Sequence, residues 1–135
     1  MKKVIWITGG SSGIGRALTI KFAKENWEVA ISARRESLLK EISESHENIN
    51  FFTLDVSKKE NCVEVFEQIK KKYENIDICF FSTGTWDPKK EKDIDVDQIE
   101  KVFKINFFGT LNCIKAVEKY FKEKKSGHIS IVSSI

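Results

Sequence analysis

Apolar positions along this chain alternate between two rhythms. Short continuous runs recur at Val4-Ile5-Trp6-Ile7, Trp27 to Ala33, Asn48 to Leu54, Asp77-Ile78-Cys79-Phe80-Phe81 and His128 to Val132. Their length and content are those of buried strands. Between them the apolar residues fall three and four apart, the spacing of a helix face. Ile14, Leu18 and Phe22, with Ala17 beside them, predict a helix over about Gly13 to Glu25. Leu38, Leu39 and Ile42 predict a second helix after the Arg34-Arg35 loop. Val63, Phe66 and Ile69 predict a third to about Tyr73, opened by Ser57-Lys58-Lys59-Glu60, which has the form of a capping box. Asp95 with Gln98 makes a second cap signal. It starts a long helix that carries Ile99, Val102, Phe103, Phe107, Leu111, Ile114, Val117 and Phe121. Unbroken to Lys124, that helix spans about 40 Å at ~1.5 Å per residue. Asn106 interrupts its apolar pattern mid-way, and Ser126-Gly127 ends it.

Strands and helices thus alternate from end to end, which predicts an α/β fold: a doubly wound parallel sheet of Rossmann type with helices on both faces. Right-handed crossovers set the strand order 3-2-1-4-5. The single proline, Pro88, falls in the loop Ser82 to Pro88 after the fourth strand, and Lys89 to Asp93 is charged and expected at the surface. The fifth strand, apolar on both faces, would form a bare sheet edge. The fold is therefore expected to be truncated after that strand.

Composition narrows the functional classes. A 135-residue chain is at most one domain, and 41% hydrophobic with 32% charged residues is ordinary for a soluble protein. A net charge of +3 is too mild to argue for nucleic acid. Lys70 to Lys72 and Lys122, Lys124 and Lys125 fall where helices end, and there they complement the helix dipole. No run approaches the length of a membrane span. Cys62, Cys79 and Cys113 are far apart in apolar surroundings, and with only two histidines no metal-ligand spacing exists, so no metal is expected. The cysteines read as reduced core thiols of a cytoplasmic protein.

The chemistry gathers at the first strand-to-helix turn, Thr8-Gly9-Gly10-Ser11-Ser12-Gly13-Ile14-Gly15. Glycines there let backbone approach a pyrophosphate, and unpaired amides at the helix start point at it. A plain flexible turn is the alternative reading, and the strand before and helix after argue against it. A dinucleotide would lie at the carboxyl ends of the strands. There Thr8–Gly15, Ala33–Arg35, Asp55-Val56 and Ser82–Trp86 meet, with Ser133-Ser134 joining them.

With Thr8-Gly9-x-x-x-Gly13-Ile14-Gly15, Asp55-Val56, Asn106 in a long helix and Ser133-Ser134 after the fifth strand, the chain resembles the short-chain dehydrogenase/reductase family over its whole length. The resemblance implies that Gly9, Gly13 and Gly15, with Ser11, Ser12 and Ile14, line the pyrophosphate. Asp55 would accept from the adenine amino group, with the Val56 amide against the ring. Ser82, Thr83 and Gly84 would join the cofactor site. Asn106 would bridge to a water in a proton relay, or, as a simpler alternative, bond a kinked backbone beside Gly109. Ser134 would hydrogen-bond the substrate carbonyl oxygen. The family usually has Asn-Asn-Ala-Gly where this chain has Phe81-Ser82-Thr83-Gly84, so the asparagine that ties neighbouring strands there is replaced by Ser82, whose shorter reach leaves that contact open.

Cofactor choice follows from charge. NAD sites place a carboxylate near the end of the second strand to hold the ribose 2′-hydroxyl. Here that position is Ala33, followed by Arg34 and Arg35, which suit a 2′-phosphate. NADP(H) is expected, with Arg34 as the main contact. The catalytic Tyr-x-x-x-Lys of the family follows the serine and does not occur here. Tyr120-Phe121-Lys122-Glu123-Lys124 fits the spacing but precedes the serine, at the wrong end of the long helix. The expected function is hydride transfer between NADP(H) and a small-molecule carbonyl or alcohol, with the 135 residues as an NADP-binding domain inactive alone. The alternative is a non-catalytic nucleotide-binding or interaction module that needs a partner chain. The resemblance also implies a homo-oligomer through the long helix 96–124, with Phe107, Phe108 and Phe121 as candidate contacts.

Overall fold

A computed structural model describes residues 1–86 and 93–133. In chain order it contains β1 (Val4–Thr8), α1 (Gly13–Lys24), β2 (Glu28–Ser32), α2 (Glu36–Glu44), β3 (Ile49–Phe51), α3 (Lys59–Lys72), β4 (Ile78–Phe81), α4 (Val96–Phe103), a π-helical stretch over Lys104–Phe108, α5 (Gly109–Lys124) and β5 (His128–Ile131). The strands form one parallel sheet in the order β3-β2-β1-β4-β5, as the alternation of elements predicts. Thr8 lies opposite Ser32 on one side and Phe81 on the other, so three strands end level and open one crevice.

Strand alternation sorts the core into two layers. Ile5, Ile7, Val29, Ile31 and Ile49 face Ala23 of α1 and Leu39 and Ile42 of α2. Val4, Trp6, Ala30, Cys79 and Phe81 face α3 and α5. Trp6 anchors the second layer. Its ring stacks on Phe66 at 5.7 Å and meets Phe81 edge-on at 5.6 Å, while the indole N–H donates to Ser32 Oγ at 2.9 Å. A fully buried indole is tolerated because its one polar atom is satisfied.

Several helix faces differ from the expected stripes. In α1 the buried residues are Gly15, Thr19 and Ala23, and Ile14 is 58% exposed beside the crevice. Small residues win that face because the helix lies close against the sheet. In α3 the buried set is Cys62, Val65, Phe66 and Ile69, with Val63 turned outward. The capping box at Ser57 does not form. Lys58 occupies the cap position, and Ser57 turns its hydroxyl to Asp55 Oδ1 at 2.7 Å. The cap at Asp95 does form, its Oδ1 accepting from the Gln98 amide at 3.1 Å. Beyond the short β3 ladder, Phe52 and Leu54 still donate to Ile31 and Ala33 carbonyls at 2.9 Å each, so pairing runs to the predicted strand end.

The long helix is broken by the π-helical stretch, whose wider turn lets the Gly109 amide bond the Lys104 carbonyl. Before it, α4 buries no residue; after it, Gly109, Cys113 and Val117 are buried against α3 and β4. Ile99, Phe103, Phe107 and Leu111 therefore face outward, whereas Phe121 packs on the core. Tyr120 and Lys124 hold the backbone of a single residue on both sides: the Tyr120 hydroxyl accepts from the Ile76 amide at 2.9 Å, and Lys124 Nζ donates to the Ile76 carbonyl at 2.6 Å. That residue precedes β4, at the end of the sheet opposite the crevice. No helix among the described residues is long and apolar enough to cross a membrane.

Candidate functional site

Where β1, β2 and β4 end, a groove of about 630 Å³ crosses the sheet, within the usual span of small-molecule sites. Gly9, Ser11, Ser12, Gly13, Ile14 and Gly15 line one part of it, Arg34, Arg35, Asp55 and Val56 another, and Ser82, Thr83 and Gly84 a third. The strand ends thus bring together all the residues read from the sequence as cofactor contacts. Ala33 and Thr85, from loops expected to meet there, also line the groove, as does Leu54 just before Asp55. Ile105 and Val132 line it too. No local motif marks these last two, because they reach it only through the packing of the long helix and β5.

The first turn owes its shape to glycine. Gly9 has φ +68°, and a Cβ there would lie 2.8 Å from the Ser82 carbonyl oxygen. A Cβ on Gly15 would overlap the Gly9 carbonyl, so the turn folds back onto its own helix only without side chains. At Gly13, φ +54°, a Cβ would meet nothing within 4 Å, because that position faces the open groove. Ser12 caps α1 without a side-chain bond to its first amides, and the first turn holds no acidic residue. The positive end of the helix dipole and its free N–H groups therefore face the groove, a combination that favours an anion.

Ser82 supplies the strand tie. Its Oγ donates to the Thr8 carbonyl at 2.6 Å, and its amide donates to the same residue at 3.3 Å. The shorter side chain suffices because the Thr8 carbonyl lies immediately beside it, and Gly15 packs against the hydroxyl. Next to it, Thr83 Oγ1 is buried without a hydrogen-bond partner among the described residues.

Asp55 and Val56 are held from three sides. The Asp55 amide donates to Asn61 Oδ1 at 2.8 Å, and Asn112 Nδ2 donates to the Val56 carbonyl at 2.9 Å. Asp55 Oδ1 accepts from both the amide and the hydroxyl of Ser57, at 3.0 and 2.7 Å. That hydroxyl bond is the main reason the carboxyl sits below its ordinary pKa; partial burial opposes it, and Lys58 and Arg34 add smaller attractions. Asp55 is thus an ionised acceptor, with Oδ2 turned to no partner among the described residues. Arg34 and Arg35 are exposed at the groove rim, and neither forms a salt bridge among the described residues.

Asn106 lies in the π-helical stretch and clasps one residue of the β4 loop. Its Oδ1 accepts from the Thr85 amide at 2.7 Å, and its Nδ2 donates to the Thr85 carbonyl at 2.9 Å. Its own carbonyl accepts from Thr110 Oγ1 at 2.8 Å. Asn106 and Ser133 border a second hollow of about 430 Å³, with Val102, Phe103 and Phe107 as its apolar wall. Ser134, expected to polarise a substrate carbonyl, lies outside the described residues, as do Asp87, Pro88 and Lys89 to Lys92. Among the described residues no group of three or more His, Cys, Asp or Glu side chains could hold a metal ion.

Strand order, glycine turn and groove define a nucleotide-binding protein of the doubly wound α/β class. The chain belongs to the short-chain dehydrogenase family, whose family model matches residues 3–135. It is 35% identical over 137 residues to an uncharacterized oxidoreductase of Listeria innocua, covering 98% of this chain and 55% of that protein. It is 33% identical over 126 residues to general stress protein 39 of Bacillus subtilis, covering 89% of this chain and 44% of that protein. Among solved structures, ElxO with NADP bound matches at a TM-score of 0.90 and 31% identity, over 99% of this chain and 56% of that one. A short chain dehydrogenase from Bacillus anthracis matches at 0.86 and 32%, over 96% and 56%. The chain thus spans about half the length of the curated relatives it matches first.

Proposed function

We propose that residues 1–135 form the NADP(H)-binding domain of an oxidoreductase that moves a hydride between the cofactor and a small carbonyl or alcohol substrate. The observation that carries the reading is the charge pattern along the groove. Uncapped amides of α1 and glycine backbone lie at one part, and two guanidiniums free of salt bridges among the described residues lie at another. No acid stands at Ala33 to hold a ribose 2′-hydroxyl or to repel a 2′-phosphate. The likeness to ElxO, whose structure has NADP bound, supports the same choice.

In this reading Gly9 and Ser11 to Gly15 hold the pyrophosphate, Asp55 and Val56 the adenine, and Arg34 with Arg35 the 2′-phosphate. Ser82, Thr83 and Gly84 form the wall beyond the pyrophosphate. The nicotinamide, when bound, supplies or accepts the hydride. Asn106 serves the proton relay from a position fixed by Thr85, and Ser134 polarises the substrate oxygen as charge develops on it. The acid–base tyrosine and lysine of the family are not among these residues, since Tyr120 and Lys124 hold the Ile76 backbone instead. The 135 residues alone are therefore expected to bind nucleotide without turning over substrate. Cytoplasmic residence and self-association through 96–124 are part of the same proposal, and sedimentation of the purified chain tests the latter.

Titration with NADP(H) and NAD(H) tests the cofactor reading. Charge-assisted bonds to the 2′-phosphate are worth about 1.5–3 kcal/mol, so Arg34→Ala should weaken NADP(H) roughly ten- to a hundredfold and leave NAD(H) unchanged. Equal affinity of the wild type for both cofactors overturns the proposal, as does an unaffected Arg34→Ala.

A further inference from the structure

Beneath the Asp55-Val56 side of the groove two thiols face each other. Cys62 of α3 and Cys113 of α5 are both buried, with their sulfurs 4.0 Å apart. Cys62 also donates to the Val56 carbonyl, S to O 3.7 Å, which leaves Cys113 as the donor between the two sulfurs. The same carbonyl takes its other bond from Asn112, next to Cys113 in α5. One helical turn earlier, Gly109 lies so close to Val56 that a Cβ would stand 2.6 Å from Val56 Cγ2. The groove floor at Val56 therefore rests on the spacing of α3 and α5, and the cysteine pair spans that spacing. Cys79 is buried too, but no hydrogen bond joins it to either sulfur among the described residues.

We infer that Cys62 and Cys113 are a redox-sensitive pair that closes to a disulfide under a hydroperoxide and, in closing, loosens the nucleotide seat at Val56. The second half of this inference rests on the NADP(H) reading; the first does not. Cys62 is the attacking sulfur. Its thiol is held below the ordinary value by the Cys113 hydrogen bond, and that bond together with burial pushes Cys113 up. Cys62 attacks one peroxide oxygen: the S–O bond forms, the O–O bond breaks, and the other oxygen leaves as water with the Cys62 proton. Cys113 then attacks the sulfenic sulfur. The S–S bond forms, the S–O bond breaks, and hydroxide leaves with the Cys113 proton as a second water. The two sulfurs give up two electrons in all, and the peroxide takes both.

A disulfide needs sulfurs about 2.05 Å apart, so the side chains must turn or the helices close in. Either movement takes the thiol hydrogen from the Val56 carbonyl and leaves Asn112 as its donor. Because both thiols are buried, oxidant enters only when α3 and α5 part. By linkage, a nucleotide seated on Val56 opposes the bridge that weakens its own binding.

The full 135-residue chain, treated with hydrogen peroxide and digested without reductant, decides the matter. A linked peptide pair carrying Cys62 and Cys113 is expected, with Cys79 free, and dithiothreitol should reverse it. The Kd for NADP(H) should rise about three- to tenfold on oxidation, the effect of losing one modest hydrogen bond, and return on reduction. Cys113→Ala and Cys113→Ser should show neither change; having both guards against one failing to fold. Free thiols after treatment, sulfinic acid at either site, or a bridge to Cys79 overturns the pairing. A bridge that forms without a change in Kd overturns the coupling to Val56. If the reduced chain binds no NADP(H), the nucleotide reading fails, and the digest still decides the bridge.

Discussion

β1 and β5 are both apolar strands of one parallel sheet, yet they live in different surroundings. β1 has a strand on each side and a helix layer on each face, and every residue of it is buried. β5 has β4 on one side and no strand on the other among the described residues, and Ile131 is 49% exposed. The helices divide in the same way. α2 buries Leu39 and Ile42 and α3 buries Val65, Phe66 and Ile69, whereas α4 turns Ile99 and Phe103 out. Apolar content places a segment in a strand or helix; how much of it is dry depends on neighbours that the segment does not encode. Among the described residues, β1 is enclosed on every side, whereas β5 is partly open.

The largest expected effect probes that contrast directly. Trp6→Ala empties a fully enclosed site, removes two ring contacts and strands the Ser32 hydroxyl, so it should cost about 3–5 kcal/mol. Ile131→Ala, at the half-open edge, should stay within about 0.5 kcal/mol. Urea unfolding midpoints of the two variants measure the difference. Similar shifts would mean that β5 is as enclosed as β1 in solution, through self-association or a rearranged edge.

A smaller effect separates the two ends of β4. The long helix clasps the chain before β4 through Tyr120 and Lys124 on Ile76, and the chain after it through Asn106 on Thr85. The first clasp is the more buried. Tyr120→Phe leaves the Ile76 amide without its acceptor and should cost about 1–3 kcal/mol. Asn106→Ala lets water reach an exposed Thr85 peptide and should cost about 1 kcal/mol or less. Its larger consequence should be weaker NADP(H) binding, because Thr85 lines the groove. If Asn106→Ala destabilises more than Tyr120→Phe, the ranking of the two ends is reversed.

What the sequence disclosed follows from the range of each interaction. Strand runs, the order 3-2-1-4-5 and the turn Thr8–Gly15 rest on local spacing and on handedness, and each stands where it was read. The Asp95 cap, a three-residue contact, was equally legible. The failures are of two kinds. Ile14 and Val63 carry the right spacing on the wrong face, because apolar period alone cannot tell which stripe a close-packed sheet will accept. Ser57 has the chemistry to accept from the first helix amides as a cap, but its hydroxyl donates instead to an ionised carboxylate two residues back. Asn106 on Thr85, Tyr120 on Ile76 and Cys62 on Cys113 join residues far apart in the chain, so no local pattern announces them. The π-helical stretch is hidden for a similar reason: its widened turn brings Gly109 onto Val56, a residue from another element.

The smallest effect concerns the groove side of the β1 region and is read through pH. The Ser57 hydroxyl bond keeps the Asp55 carboxyl below its ordinary value in the folded chain. A carboxyl depressed by folding adds stability above its unfolded pKa, about 3.9 for aspartate, and that share is lost as pH falls through the lower folded value. Ser57→Ala moves the folded value back toward the unfolded one, so it removes this share and leaves the other carboxylates as they are. The unfolding midpoints of wild type and Ser57→Ala should therefore differ at neutral pH and converge as the acid range is entered. The gap is small, since the group is largely solvent-screened. A gap that stays constant from neutral to acid pH would mean that Ser57 acts on this segment by packing alone. Asp55 would then lose the electrostatic link that here joins the start of α3 to the nucleotide groove.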